Sequence, residues 1–227
     1  MINNLQLVWS SLPTLLEGAL VTIKLASISL LLGFVLGLPL AFGQVYGFKL
    51  LKKIISIYER IARSIPLLVI LFLIYYGFPR SGFRVPAFTA AILALGLRSA
   101  AYQSQIYRGA IQSVSGCQMR AALSMGMNRF TAFFYVILPQ AVRIAIPPLG
   151  NEAAIVLKDT SVVYAIGVID LLRQGYYIIN MQNDPFAVMA IFITVAFIYL
   201  ILTVTINYCL SLFEKKYKIP GIGIEGE

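Results

Sequence analysis

Long apolar runs, separated by short polar stretches, constrain the fold of this chain more than any other feature. A helix needs about 20 mostly apolar residues to cross a bilayer. Five windows reach or approach that length: residues 19–44, 64–79, 86–107, 144–170 and 186–213. The runs contain Ser, Thr and Gly without a period-two alternation of polar and apolar residues, which argues against a membrane barrel. The sequence therefore predicts an all-α polytopic membrane protein with about five transmembrane helices, the second of which is short unless it begins near Ile54.

The overall composition agrees with this fold class and excludes several kinds of chemistry. Of the 227 residues, 59% are hydrophobic and 12% are charged, far from the balance of a soluble domain. The chain has no histidine, the commonest metal ligand and general base, so we expect neither a catalytic residue nor a metal site. It has no Gly-rich phosphate loop ending in Lys-Ser or Lys-Thr, so we expect no nucleotide or other cofactor on this chain. No internal repeat divides residues 1–227, which we treat as one domain.

The net charge of +9 indicates orientation in the membrane rather than binding to nucleic acid. Three basic residues flank one set of loops: Arg80, Arg84 and Arg173. Ten flank the alternate set: Lys49, Lys52, Lys53, Arg108, Arg120, Arg129, Arg143, Lys215, Lys216 and Lys218. Because cytoplasmic loops carry the excess of Lys and Arg, the N-terminus is predicted outside and the C-terminus in the cytoplasm. The first 20 residues lack a basic start and a cleavage site, so we expect no removable signal peptide.

Small residues recur in the polar break between the third and fourth predicted spans. The segment 120–126 reads Arg-Ala-Ala-Leu-Ser-Met-Gly, and Leu138-Pro139 follows twelve residues after Gly126. Small side chains at Ala121, Ala122 and Gly126 would let another protein surface approach a short helix closely. We therefore interpret residues 114–139 as a cytoplasmic docking loop. The alternative is an ordinary helix-loop-helix in which the Ala and Gly residues only pack.

This loop resembles the coupling loop of permeases in binding-protein-dependent ABC importers. The family pattern is Glu-Ala-Ala, three variable residues, Gly, nine variable residues and Ile-x-Leu-Pro. Arg120 stands where the family usually has Glu. The other pattern positions match in register: Ala121, Ala122, Gly126, Val136, Leu138 and Pro139. The resemblance implies that Arg120 and these residues contact an ATPase subunit.

Further motifs resemble the polar amino acid branch of the same family. They are Arg63 to Leu68, similar to Arg-Gly-Thr-Pro-Leu-Leu; Tyr75-Tyr76-Gly77; Ala101 to Gly109, similar to Ala-Tyr-x-x-Glu-Ile-x-Arg-Gly with Gln105 in place of Glu; Pro147 to Glu152; and Leu157 to Ser161. The first predicted span also has Gly33 and Gly37 at a spacing that suits close helix contact, followed by Pro39, where a kink is the alternative. The resemblance runs in order from about Leu15 to Lys218.

Charged and polar residues inside the predicted spans are the candidate substrate site. Arg98, Tyr102 and Gln105 occur at i, i+4 and i+7, one face of a helix, and an intramembrane arginine is costly unless it faces protein or water. In the fourth span, Asn151 precedes Glu152, and Glu152 and Asp159 are seven residues apart. On one uninterrupted helix, Asp170 would join their stripe, although the Lys-Asp-Thr-Ser stretch is a potential interruption. Two alternatives stay open: Lys158 and Asp159 neutralise each other, or Glu152 is a buried acid bonded to a neighbouring helix.

The resemblance implies the type I ABC importer permease fold and a function in ATP-driven amino acid import by alternating access. It implies a multi-pass protein of a bacterial or archaeal cytoplasmic membrane. The implied partners are an ATPase dimer that carries ATP and Mg²⁺, a second permease subunit, identical or paralogous, and an extracytoplasmic solute-binding protein. The chain itself is not expected to be an enzyme.

The charges suggest how a substrate would bind. A guanidinium binds carboxylates in a bidentate manner, so Arg98 is the candidate for the α-carboxylate. Glu152 and Asp159 are candidates for the ammonium and for a cationic side chain, which favours arginine, lysine or histidine, with glutamine or another polar amino acid as the second choice. Two other classes remain. A secondary transporter often has inverted repeats, which the sequence lacks, and a structural membrane protein would not need intramembrane charges such as Arg98 and Glu152.

Overall fold

The computed structural model describes residues 2–77, 82, 84–114, 116–181 and 184–217, and within these ranges it describes side chains from residue 5 to residue 212. Arg80 and Lys218, which enter the orientation count, lie outside the described residues, as do the side chains of Lys215 and Lys216. The described part of the chain is helical and contains no strand, which confirms the predicted all-α class.

Nine α-helices make up most of the described residues: α1 (Ile2–Tyr46), α2 (Lys49–Ser64), α3 (Leu67–Phe72), α4 (Ala87–Ser113), α5 (Gly116–Ser124), α6 (Arg129–Ala132), α7 (Leu138–Asp159), α8 (Leu171–Asn180) and α9 (Pro185–Tyr217). A π-helical turn, Leu73–Gly77, extends α3, and a second, Phe133–Ile137, joins α6 to α7. A 3-10 helix, Thr160–Ile166, continues α7.

Three helical stretches of the described chain are long and apolar enough to cross a membrane: Leu5–Tyr46, Arg129–Ile166 and Pro185–Leu212. They correspond to the first, fourth and fifth predicted spans. The third predicted span is α4, whose 27 residues extend about 40 Å. It is less apolar than the other three because it carries Arg98 and several glutamine and serine residues toward other helices.

The described part of the second predicted span, residues 64–79, is α3 with its π-helical turn, and α2 leads directly into it. Leu67–Gly77 alone would extend only about 16 Å, too short to cross. Both helices run along α4: Glu59 accepts a hydrogen bond from Ser104, and Leu71 packs in one apolar cluster with Ala94. Pro66 interrupts the span, because proline lacks an N–H and disfavours helical backbone at the residue before it. Ile65 is accordingly extended, with ψ 132°. The stretch Lys49–Gly77 is therefore two helices joined at a break, and the earlier start near Ile54 falls within α2.

Glycines bring α1 against α4 at close range. A Cβ added to Gly37 would lie 3.1 Å from the backbone oxygen of Ala100 and 3.1 Å from the backbone nitrogen of Ser104. Gly33 is similarly close to Ser99. The structure thus confirms that this pair of glycines serves helix contact, and it places α4 at the centre of the described fold.

The stripe of three acids expected for an uninterrupted fourth span does not form. The α-helix ends at Asp159, and the chain continues through the 3-10 helix to Gly167, whose φ of 87° turns it away. Asp170 instead caps α8, where its carboxylate accepts a hydrogen bond of 2.9 Å from the backbone N–H of Arg173. The interruption anticipated at the Lys-Asp-Thr-Ser stretch is confirmed.

Candidate functional site

An ion pair joins the middle of α4 to the end of α7. The guanidinium of Arg98 donates through Nη1 to the carboxylate of Asp159, 61 residues further along the chain. Both side chains keep some exposure, 22% for Arg98 and 28% for Asp159. The Arg98 Nε is buried and has no hydrogen-bond partner among the described residues. The salt-bridge partner of Asp159 is Arg98 rather than the neighbouring Lys158, whose side chain is exposed.

Two guanidiniums lie over the ring of Tyr102. The Cζ of Arg98 is 5.4 Å and the Cζ of Arg63 is 5.8 Å from the ring centroid, both within cation–π range. Tyr102 therefore sits beside Arg98, as the i, i+4 spacing predicts. Arg63 was missed as a site residue. Its sequence signal is a basic residue two positions before Ile65, where the apolar run 65–79 begins.

Glu152 is a buried acid, 4% exposed, that reaches α4 one residue beyond Arg98. It accepts a hydrogen bond of 2.8 Å from the Ser99 hydroxyl. The structure therefore confirms the alternative in which Glu152 is a buried acid hydrogen-bonded to a neighbouring helix, here α4. Because Glu152 and Asp159 are seven residues apart on α7, the two acids face α4 about 10 Å apart along the helix axis. Arg98, Tyr102, Glu152 and Asp159 thus form one site between α4 and α7.

Gln105 lies about two turns along α4 from Arg98, and its side chain belongs to a second polar cluster. Its Nε2 donates to the carboxylate of Glu59, and its Oε1 accepts from Arg108. Glu59 is 2% exposed and also accepts 2.6 Å from Ser104. A glutamine at position 105 can donate to Glu59, whereas the Glu that is usual in the resembling motif would oppose it with a like charge. Sequence reasoning missed Glu59.

Asn151 is not part of the site around Glu152. Adjacent residues on a helix point about 100° apart, and the Asn151 side chain is exposed where Glu152 is buried. Asn151 lines a cleft of about 200 Å³ between α7 and α9, together with Asn207 and Ser211. The predicted set of six substrate residues is therefore divided by the structure into a group of four, with Gln105 and Asn151 elsewhere.

The predicted docking loop contains the short helix α5, which ends at Gly126. The N–H of Gly126 bonds to the carbonyl of Leu123 at 3.0 Å, and the N–H of Met127 bonds to the carbonyl of Ala122 at 3.1 Å. These are the two hydrogen bonds of a Schellman helix ending. Gly126 has φ 83°, a left-handed conformation that favours glycine. A Cβ built there would meet no atom of this chain within 4 Å, so Gly126 has a backbone role and is also open to a partner.

The other predicted docking residues divide between the core and the surface. Ala122 is 4% exposed, and Leu138 packs partly buried against the cluster that contains Tyr107. Four of them are exposed: Arg120, Ala121, Gly126 and Pro139. Large apolar side chains near them are exposed as well, including Met125 at 79% and Phe130 at 65%. The loop thus holds itself to the core through one set of residues and presents another set outward.

The part of the chain that the structure describes holds no group of three or more Cys, Asp or Glu placed to bind a metal ion. The polar atoms of the site are carboxylates, guanidiniums and hydroxyls. Such an arrangement can bind a small zwitterion, because it offers both signs of charge in a protein interior.

Comparison with known proteins gives a family match over most of the chain. Residues 29–219 match the family model described as "Binding-protein-dependent transport system inner membrane component". The glutamine transport system permease protein GlnP of Escherichia coli K12 is 35% identical over 214 residues, covering 93% of this chain and 96% of the relative. The nopaline transport system permease protein NocM of Agrobacterium fabrum is 38% identical over 222 residues, covering 93% and 90%.

Solved structures agree with the fold. A crystal structure of an amino acid ABC transporter with histidines matches with a TM-score of 0.82 and 39% identity, covering 90% of this chain and 94% of that one. An inward-facing form of the MetNI methionine ABC transporter matches with a TM-score of 0.75 at 20% identity, which indicates likeness of fold alone.

Proposed function

The chain belongs to the family of binding-protein-dependent transport system inner membrane components and is an ABC importer permease for amino acids; we propose that Arg98, Tyr102, Glu152 and Asp159 bind its substrate. The Arg98–Asp159 ion pair, between two membrane-spanning helices, is the observation that carries this proposal. An intramembrane charged pair is expensive to keep, and such pairs mark substrate pathways.

A zwitterionic amino acid fits the pair because it presents the same two charges. When the pair opens, the α-carboxylate takes the place of Asp159 at Arg98, and the α-ammonium takes the place of Arg98 at Asp159. The partial exposure of both side chains supports such an exchange. The buried Arg98 Nε, which has no partner within the described residues, is a donor that the second carboxylate oxygen would satisfy.

The proposed preference for a basic amino acid depends on Glu152. Its hydrogen-bond donor is the neutral hydroxyl of Ser99, and it forms no salt bridge with another described residue, so a cationic side chain of the substrate would supply its ion-pair partner. Glutamine is the alternative, supported by the relative named for glutamine transport. Glu152→Gln separates the two, because it removes the charge and keeps the size and most hydrogen bonding.

The experiment is uptake of labelled L-arginine, L-lysine, L-histidine and L-glutamine into proteoliposomes that contain the complete transporter. A lost charge-assisted contact of about 1.5–3 kcal/mol lowers transport of the basic amino acids roughly 10- to 100-fold in Glu152→Gln. Glutamine uptake should fall less. Glu17→Gln, the same change at an exposed acid of α1 outside the site, is the control and should alter basic uptake little. Equal losses for basic and neutral substrates, with reduced membrane expression, would make Glu152 a structural acid.

The proposed complex contains an ATPase dimer, which carries ATP and Mg²⁺, a second permease subunit and a solute-binding protein outside the cell. No cofactor is assigned to this chain. The proposed topology keeps the N-terminus outside and the C-terminus and docking loop in the cytoplasm. The exposed polar side chains of Asn151, Asn207 and Ser211 within spanning helices support a second permease subunit, since such groups face protein or water rather than lipid. Uptake driven by an ion gradient without ATP would instead indicate a secondary transporter.

A further inference from the structure

Arg63 is the second guanidinium at the site, and it differs from Arg98 in its partners. Both guanidiniums lie over the ring of Tyr102, at 5.8 Å and 5.4 Å from its centroid. Arg98 is paired with Asp159. Arg63 forms no ion pair with any acid among the described residues, and its side chain is exposed. The site therefore holds one guanidinium whose charge is already compensated and one whose charge is not.

The position of Arg63 is set by contacts that leave its terminal nitrogens available. Its Nε–H donates 3.2 Å to the backbone carbonyl of Glu59, one turn earlier on α2. The Glu59 carboxylate is buried and accepts hydrogen bonds from Ser104 and Gln105 of α4. This ties the last turn of α2 to α4. The hydrogen bond through Nε orients the guanidinium, while no hydrogen bond within the described residues engages its Nη atoms.

The helix that carries Arg63 ends one residue later, at Ser64. Ile65 and Pro66 are extended, with ψ 132° and 136°, and Pro66 has no N–H to continue the helix. Irregular backbone at membrane depth is tolerated where it is buried in protein or lines a water-filled cavity, and broken helices contribute to binding sites in transporters. The break lies between the Glu59–Ser104 contact and the packing of Leu67 near Ala94. It is therefore at the depth of Arg98.

We propose that Arg63 is a carboxylate-binding residue of the translocation path. Its guanidinium binds the α-carboxylate of the substrate first, while Arg98 is still paired with Asp159, and shares the carboxylate with Arg98 once that pair opens. Two guanidiniums suit one carboxylate, which offers about four lone-pair sites on its two oxygens. This inference rests on the proposed function, because it assumes an amino acid substrate at the Arg98 site.

Arg60 provides a matched control on the same helix. It is also exposed and positively charged, but it lies one turn before Arg63 and makes no contact with Tyr102 or with an acid in the described structure. Arg60→Gln and Arg63→Gln therefore each remove one positive charge from α2. A difference in uptake between the two variants is then due to the position of the lost charge, not to the change in net charge.

The test is uptake of labelled L-arginine and L-glutamine by the complete transporter in proteoliposomes. Arg63→Gln should lower uptake of both substrates about 10- to 100-fold, since both carry the α-carboxylate. Uptake by Arg63→Lys should fall less than uptake by Arg63→Gln, because lysine keeps the positive charge but lacks the bidentate geometry of the guanidinium. Arg60→Gln should stay within about twofold of the wild type, both in uptake and in ATP hydrolysis without substrate. Wild-type-like uptake by Arg63→Gln, or equal losses in Arg60→Gln, would overturn the inference.

A second measurement separates binding from a purely structural role. In a background with Cys117→Ser and Cys209→Ser, Arg63→Cys should react with a water-soluble thiol reagent, and L-arginine or L-glutamine should slow the reaction. Absence of protection, in a complex that still assembles, would assign Arg63 to structure alone. If the wild-type transporter moves no amino acid, the proposed function fails and the assignment of Arg63 fails with it.

Discussion

Gly126 can be tested for two separate roles, the ending of α5 and the approach of the ATPase. Its φ of 83° is one that side chains rarely adopt, and a left-handed conformation costs a non-glycine residue roughly 1–2 kcal/mol. Asn occurs there several-fold more often than other such residues, whereas a β-branched residue is an outlier. Within this chain, a side chain at position 126 meets open space. Strain and contact with a partner are therefore the two costs of a substitution.

The comparison is among Gly126→Ala, Gly126→Val and Gly126→Asn. If only backbone strain mattered, Gly126→Ala and Gly126→Val would lower the population of the loop conformation that binds the ATPase about 5- to 30-fold, the effect of about one or two kcal/mol. Gly126→Asn would bind the ATPase nearly as well as the wild type. If the ATPase approaches closely, Asn should fail at least as badly as Ala, because its side chain is larger although its strain is smaller. We expect the second pattern, with the permease still folded in the membrane.

The assay is retention of the ATPase on the affinity-purified permease, together with amino acid uptake. Membrane expression and near-native melting of each variant are the controls for folding. Normal ATPase retention by Gly126→Asn, beside losses in Gly126→Ala and Gly126→Val, would refute close approach at this residue and leave Gly126 as a helix-ending residue only.

Three further outcomes are expected. Gln105→Glu should destabilise the permease by about 1–3 kcal/mol, because it replaces a hydrogen-bond donor to the buried Glu59 carboxylate with a like charge. Adding Glu59→Gln in the same chain should recover much of that stability. Thermal melting of the single and double variants measures the effect, and no recovery in the double variant would contradict the pairing. Gly37→Leu should reduce folded yield, because even a Cβ would crowd the α4 backbone at 3.1 Å, whereas Leu31→Ala on the exposed side of α1 should not. Cysteine labelling should find Lys52 and Met127 accessible from the cytoplasm and Arg84 from outside, with the opposite result at Met127 refuting the topology; Ser81 and Gln182, also expected outside, lie beyond the described residues.

Much of the fold could be predicted because it depends on properties local to the chain. The lengths of the apolar runs predict how many helices cross the membrane. The unequal numbers of Lys and Arg in alternate loops predict the orientation of the chain. The spacing of Gly33 and Gly37 predicted a close helix contact, and the structure confirmed that this contact is with α4. The start of the second span near Ile54 stays a prediction, because α2 carries charges such as Glu59 and Arg60 that lower its apparent hydropathy. Those charges are tolerated where they face protein or a cavity, which a window average does not register.

The sequence predicted which candidate site residues share a helix face better than it predicted which partners their side chains contact. Periodicity correctly grouped Arg98 with Tyr102 and Glu152 with Asp159, because residues three, four or seven apart share a helix face. It also admitted Gln105 and Asn151, which the structure turns toward other partners. Arg63 and Glu59 escaped notice, since their importance depends on which helix lies opposite.

The sequence by itself determined that this chain is a helical membrane protein of the importer permease family, and its spacing and composition predicted a docking loop at residues 114–139. Only the tertiary structure decided that Asp159 pairs with Arg98 rather than with its neighbour Lys158, and that Gln105 donates to Glu59 across 46 residues. The physical reason is that a helical repeat specifies which side chains point the same way. Which group they meet depends on how helices far apart in the chain cross in space.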